Sequence, residues 1–318
     1  MSIGSFLKLV EIQTKVASMI PFLLGTMFTL YRYDSFKLEN FIIMFVSLIS
    51  FDMATTAINN YYDYKKATRT KDDSYRKANI IGKDNLKEST VVGIIITLVL
   101  IAVVFGAILT VKTDVVVLLI GAVSFATGVL YTFGPIPLSR MPLGEMFSGF
   151  FMGFVILFLS IYIHIFDSNI VVIGFQNGIF NMSVNVLEVI YIFLISIPAV
   201  GGIANIMLAN NTCDLEEDII NKRYTLPYYI GKNSALGLFK ALYYIGYLAI
   251  IAMVILKIAP LAVLLVLLTI IPVNKHINMF YKKQVKSETF VLGVKNFLIM
   301  NGSLLLIMTI VNILSIFF

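Results

Sequence analysis

Long apolar runs alternate with short polar stretches along the whole chain. Near-continuous apolar runs cover residues 16–31, 40–58, 90–111, 115–133, 146–165, 185–208, 235–256, 258–274 and 291–317. A helix needs about 20 mostly apolar residues to cross the hydrocarbon core of a bilayer. The pattern therefore predicts about nine transmembrane helices. The eighth run is short and opens near Pro260, so its boundary with the seventh is the loosest. Spanning open strands are excluded, because lipid offers no partner to their backbone N–H and C=O groups. The expected fold class is an all-α membrane protein, one bundle of about nine spans in a single domain, 1–318. No Gly/Ser-rich linker or soluble insert interrupts it. Lys8, Glu11 and Lys15 precede the first run, which reads as a retained span and not as a cleaved signal.

Composition agrees with that reading. Of 318 residues, 59% are hydrophobic and 13% charged, about half the charge of a soluble globular chain. Such a chain cannot cover itself with polar surface, so lipid is its main solvent and partner. Cys213 is the only cysteine and His164 and His276 lie far apart. That pattern excludes an internal disulfide and CxxC-type metal or haem sites, and it speaks against a His-based metal centre. The net charge of +6 does not point to nucleic acid, because the basic residues fall in short loops between apolar runs.

Those loops predict orientation. With the N-terminus inside, 20 of the 24 basic residues fall on inner segments; only Arg32, Lys37, Lys112 and Lys257 lie outside. The positive-inside rule then gives an N-in, C-out topology in a cell (plasma) membrane. It also puts the two most polar loops, 59–88 and 209–234, on the cytoplasmic side.

Both of these loops open on the same spacing. Asn59-Asn60-Tyr61-Tyr62-Asp63 and Asn210-Asn211-Thr212-Cys213-Asp214 each contain N-x-x-x-D, and the second continues to Asp218. Four predicted spans separate them, so both face one side. The arrangement looks like a tandem repeat of a four-helix unit followed by an extra helix. A spacing of four puts Asn59 and Asp63 on one helix face, and likewise Asn210, Asp214 and Asp218. Carboxylates at a helix C-terminus meet the unfavourable end of the macrodipole, so compensating positive charge is expected there. Two such faces would offer oxygen ligands to Mg²⁺, which takes one or two carboxylates together with waters and substrate phosphates. Ionisable residues at membrane depth are costly and by default read as functional.

Basic residues follow each motif: Arg69, Lys71, Arg76 and Lys77 the first, Lys222 and Arg223 the second. They suit a polyphosphate, with arginine gripping two oxygens at once and lysine supplying a point charge. Lys222 and Arg223, one turn past Asp218, are the better candidates. A third segment, Tyr131-Thr132-Phe133-Gly134-Pro135-Ile136-Pro137-Leu138, runs on to Arg140-Met141-Pro142-Leu143-Gly144-Glu145. Its prolines and glycines predict a non-helical connection. Tyr131 reads as an interface aromatic or a site residue, and Glu145 as an interface carboxylate or part of an acceptor pocket.

At these three segments the chain resembles the UbiA superfamily of intramembrane prenyltransferases. Within it, the likeness is to the 1,4-dihydroxy-2-naphthoate polyprenyltransferases of menaquinone synthesis. The resemblance implies that Asn59, Asp63, Asn210, Asp214 and Asp218 bind Mg²⁺ and the diphosphate of a polyprenyl donor. It further implies transfer of the polyprenyl group to the naphthoate with loss of CO₂, giving a demethylmenaquinol. Tyr131 and Tyr62 would help stabilise the allylic cation or, with Glu145, hold the acceptor. The chain departs from the family pattern in three places. Ala67 and Arg69 fall where a further Asp is usual, with Asp72 or Asp73 as possible substitutes. Cys213 stands where an Arg is frequent, and Glu11-Ile12-Gln13-Thr14-Lys15 replaces an Arg-Pro pair. The alternatives are a UbiA-type transferase acting on another aromatic or isoprenoid acceptor and, from a different class, a secondary transporter. A transporter usually gathers its polar residues near the bilayer midplane in broken helices, whereas here the acids cluster at one surface.

Overall fold

The computed structural model describes residues 1–70, 79–132, 138–176 and 178–317, with the side chains of 66–70, Thr132, Ser139, Phe175 and Gln176 left aside. Each predicted span falls on helix. Among the described residues, seven helices can cross a membrane by length and composition: Leu38–Lys65, Glu88–Lys112, Gly144–Ser168, Val186–Cys213, Lys232–Ile255, Leu261–Lys282 and Phe290–Phe317. Val115–Tyr131 is apolar but shorter, and Val16–Tyr33 forms a further helix carrying Pro21.

Two helices run further than the apolar pattern suggests. The first motif does not end its helix; Leu38–Thr70 is continuous over 33 residues. Neither Gly nor Pro lies between Asn59 and Thr70 to stop it, and Ala57 and Tyr64 are buried with Leu9, Ile81 and Val91. Asp63 therefore sits within a helix, and the expected clash with a helix C-terminus does not arise there. The eighth span begins after Pro260 as a 3₁₀ segment, Leu261–Thr269, and continues as α-helix Ile270–Lys282. Its polar second half stays helical because Val273, Ile277 and Phe280 bury one face at helical spacing.

The fold is not helical throughout. After Ile165 the chain forms an antiparallel hairpin, β1 Val171–Gln176 and β2 Ile179–Val184, in register from Val171↔Val184 to Gln176↔Ile179. The tip contains Gly178 at φ 79°, a backbone region open to glycine and costly to most other residues. The base is anchored: Ile170 is buried, the Tyr162 hydroxyl donates to the Val171 carbonyl at 3.1 Å, and Asn185 N–H donates to the Ile170 carbonyl at 2.8 Å. All of β2 is exposed.

The chain divides into two compact units. One comprises Met1–Met19 and Leu38–Thr132. Its core gathers Leu9, Ala57, Tyr64, Ile81 and Val91, with Val10, Ala54 and Leu98 forming a second cluster. The other comprises Ile20–Lys37 and Phe133–Phe318, with Ile20, Ile203 and Phe297 in its core. In this second unit backbones approach closely at glycines. A Cβ on Gly153 would lie 2.6 Å from Val200 Cα, and one on Gly149 would lie 2.7 Å from the Val200 carbonyl oxygen. Helices in lipid gain little from hydrophobic burial against one another, so small residues that permit such contact supply much of the packing. A polar clamp lies near the start of the Val186–Cys213 helix. Arg32 donates to both carboxylate oxygens of Glu188, at 2.7 and 3.1 Å, and the Tyr33 hydroxyl donates to Oε2 at 2.6 Å.

Candidate active site

In the first unit the motif lies along one stripe of the Leu38–Thr70 helix. Asp52, Thr56, Asn59 and Asp63 follow one another at helical spacing. Asn59 has its Oδ1 buried without a hydrogen-bond partner, whereas Asp63 and Tyr62 are exposed. Asn60 turns the other way: its amide donates to the Leu9 carbonyl at 2.9 Å and to Glu11 Oε1 at 3.2 Å, tying the N-terminal segment to the motif. Lys65 pairs with Glu88 at 2.6 Å. Tyr131 is half-buried near the end of the Val115–Thr132 helix.

The same stripe carries a pair that sequence reading missed. Lys15 is buried, and its Nζ donates to Asp52 Oδ1 at 2.7 Å, to the Asp52 carbonyl at 3.0 Å and to Thr56 Oγ1 at 2.6 Å. The Ser18 hydroxyl binds the other carboxylate oxygen. The charge tally treats Lys15 as an inner-loop residue, yet it is an internal counter-ion. The available signal was Asp52, a lone carboxylate inside an apolar run.

In the second unit the motif ends a helix, as expected. Asp214 caps Val186–Cys213 and also opens the short helix Leu215–Ile220. Helical hydrogen bonding continues through the junction, from Asp214 N–H to the Asn210 carbonyl at 3.0 Å and from Asp218 N–H to the Asp214 carbonyl at 2.8 Å. The i, i+4 alignment of Asn210, Asp214 and Asp218 is thereby kept. Compensating charge is present. Lys286 forms a salt bridge with Asp214, and Arg223 stands 3.6 Å from Asp218 Oδ1. Asp218 Oδ2 is buried without a hydrogen-bond partner. Burial raises the Asp218 carboxyl above its usual pKa range, with Arg223 opposing and Asp214 adding to the rise.

Arg223 is held at the site by its own N–H, which donates to the Asp218 carbonyl at 2.8 Å. Lys222, at φ 54°, is exposed. Lys286 is a second residue that sequence reading missed. It lies 72 positions from Asp214 and looks like one more inner-loop charge. Glu145, by contrast, proves to be internal. It is 4% exposed, and its Oε1 accepts from the Asn211 amide at 2.8 Å. Among the other candidates, the Arg69 side chain, Lys71, Arg76 and Lys77 fall outside the described residues, as do Asp72, Asp73 and the Gly134–Pro137 stretch.

A divalent cation fits the donor set of the second motif. Asp214 and Asp218 are close enough to interact electrostatically, and one oxygen of Asp218 lacks a partner. Among the described residues no three His, Cys, Asp or Glu side chains gather into a metal cluster. Two carboxylates suffice for Mg²⁺, which keeps several waters and shares its shell with phosphates.

A helical chain with several membrane-length spans belongs to the class of multi-pass membrane proteins. Residues 18–307 match the UbiA prenyltransferase family, and the chain belongs to that family. A 1,4-dihydroxy-2-naphthoate octaprenyltransferase of Bacillus subtilis (strain 168) is 32% identical over 248 residues, 78% of this chain and 73% of that protein. Among solved structures, a UbiA homologue from Aeropyrum pernix K1 superposes with a TM-score of 0.66 at 18% identity, covering 92% of this chain and 98% of the other. A UbiA homologue from Archaeoglobus fulgidus bound to GPP and Mg²⁺ gives 0.62 at 15% identity, over 96% and 99%. These two likenesses concern the fold. The chain is a membrane prenyltransferase.

Proposed function

We propose that this prenyltransferase moves a polyprenyl group from polyprenyl diphosphate to 1,4-dihydroxy-2-naphthoate with loss of CO₂, yielding a demethylmenaquinol. The observation that carries the acceptor is the identity to the Bacillus subtilis enzyme over most of both chains. The donor reading is supported by the second motif, where two carboxylates share a helix junction with Arg223 and Lys286. The site faces the cytoplasm of a multi-pass protein in the plasma membrane, a reading that rests on the placement of basic residues in the sequence.

In the second unit Asn210, Asp214 and Asp218 would hold Mg²⁺, and in the first unit Asn59 and Asp63 are the residues proposed for the same role. The ion supplies charge neutralisation at the diphosphate, making it a better leaving group. Arg223, Lys286 and Lys222 would take phosphate oxygens, Arg223 in the two-point manner that suits a planar guanidinium. As the allylic carbon–oxygen bond breaks, positive charge develops on the prenyl end. Aromatic faces such as those of Tyr62 and Tyr131 stabilise such charge where water is excluded. The electron-rich naphthoate ring then forms the new carbon–carbon bond, and the carboxyl group leaves as CO₂.

The test is purified protein with Mg²⁺, a polyprenyl diphosphate and a panel of aromatic acceptors, with products read by mass. The naphthoate should be consumed with CO₂ release. Consumption of 4-hydroxybenzoate with its carboxylate retained, and none of the naphthoate, would overturn the acceptor assignment and leave the family intact.

A further inference from the structure

We propose that Glu145 and Asn211 form a docking pair for the phenolic hydroxyls of the aromatic acceptor. This inference rests on the acceptor class proposed above and assigns it a place in the second unit.

The two side chains come from separate helices, Glu145 at the start of the Gly144–Ser148 segment and Asn211 near the end of Val186–Cys213. Glu145 is 4% exposed and Asn211 fully buried. The Asn211 amide nitrogen donates to Glu145 Oε1 at 2.8 Å. That bond fixes which end of the amide faces the carboxylate, because a carboxylate oxygen accepts and only the NH₂ end donates. What remains is one-sided. Glu145 Oε2 and Asn211 Oδ1 are both buried and both lack a hydrogen-bond partner, and both are acceptors. Folded proteins satisfy nearly all such atoms, so each exception asks for a reason. A ligand that completes this pair must bring donors.

The chemistry of an aromatic diol meets that requirement. Each phenolic O–H is a donor, and a bond to a carboxylate is of the strong, charge-assisted kind. The pair also stands beside the acidic motif. Asn211 follows Asn210 directly, and Arg223, which contacts Asp218 at 3.6 Å, is near enough to act electrostatically on Glu145. The Glu145 backbone N–H also lies close to its own carboxylate, and neither group replaces the missing donor at Oε2. An acceptor held by its hydroxyls at this pair would present its ring next to the residues assigned to the diphosphate. A site built to bond a substrate hydroxyl discriminates strongly against an analogue that lacks it. The pair therefore selects for free hydroxyls.

The decisive variant is Glu145→Gln. Glutamine keeps the size of the side chain and an oxygen for the Asn211 amide, and it replaces the bare acceptor with an NH₂ donor. The acceptor KM should rise about 10- to 100-fold, the order expected when a buried polar group is left unsatisfied, while the donor KM, the Mg²⁺ requirement and the melting temperature stay unchanged. A second measurement uses the wild-type protein alone: each monomethyl ether of the dihydroxynaphthoate should be a far poorer substrate and inhibitor than the diol. That discrimination should collapse in Glu145→Gln. An unchanged acceptor KM, or methyl ethers that bind as well as the diol, would overturn the pair's role. A variant altered in donor KM or Mg²⁺ requirement instead would reassign Glu145 to the diphosphate side. Failure of the naphthoate reading looks different. The wild type would then turn over another hydroxylated aromatic, and the same comparison of that compound with its methyl ether decides the pair.

Discussion

Lys286 and Arg223 meet Asp214 and Asp218 from two different loops, so the second motif carries its own counter-charge. Asp214→Ala and Asp63→Ala should each abolish turnover while leaving the protein folded and inserted, since each removes a proposed Mg²⁺ ligand and little packing. Chelation should do the same to the wild type, reversibly on adding Mg²⁺; full activity in any of these conditions would overturn the roles proposed for the two motifs. Asp218 gives a pH signature. Burial holds its folded-state pKa above the unfolded value, so protonated Asp218 favours the fold. That contribution is complete below the unfolded pKa of about 4 and is lost as pH rises through the folded value. In chelator, Asp218→Asn should therefore melt higher than wild type at neutral pH, with the gap closing on acidification. A wild type that melts higher at neutral pH would mean that the pairing with Arg223 outweighs burial. Lys15 and Asp52 form the complementary case in the first unit. Lys15→Met strands a largely buried carboxylate and should cost about 3–5 kcal/mol in thermal or denaturant unfolding, whereas the double variant with Asp52→Leu should recover most of it.

At the scale of elements, the apolar runs were enough to locate the helices, because a lipid-spanning segment must satisfy its backbone internally. The ends were harder to read. Hydropathy falls after Ile58 and after Val273, yet Tyr64 and Ile277 keep burying one face and the helices continue. The hairpin was legible in principle, since Asn177-Gly178 lies between apolar and β-branched residues, a strong hairpin signal. It stood unread because it sits between two membrane-length runs that dominate the pattern. Within the candidate site, the Asn and Asp spacing was legible. The partners Lys15 and Lys286 were not, because each meets its carboxylate from a distant point in the chain and resembles an ordinary loop charge. Glycines give an element-level test. Gly153→Ala would press a methyl group against the Val200 backbone and should destabilise by about 1–3 kcal/mol. Gly237, in the Lys232–Ile255 helix with open space around its Cβ position, should gain about 0.4–1 kcal/mol on replacement by Ala. Melting curves in one detergent would compare them, and equal shifts would contradict the packing described for Gly153.

At the scale of the whole molecule, the asymmetry of basic residues predicts which loops meet the cytoplasm, and the hairpin offers a way to read that orientation. It lies at the N-terminal end of the Val186–Cys213 helix, whose 28 residues separate it from the second motif by about 42 Å. Its base is anchored through Ile170 and Tyr162, while its far strand is exposed. A tip of this kind tolerates added sequence. A short epitope inserted after Gly178 should leave prenyl transfer intact and be stained by antibody on unpermeabilised cells. An epitope in the 71–78 stretch should be stained only after permeabilisation. The reverse pattern would invert the topology. The hairpin thus doubles as an attachment point for affinity capture or a fiducial binding partner, placed where the chain can be gripped without touching its chemistry.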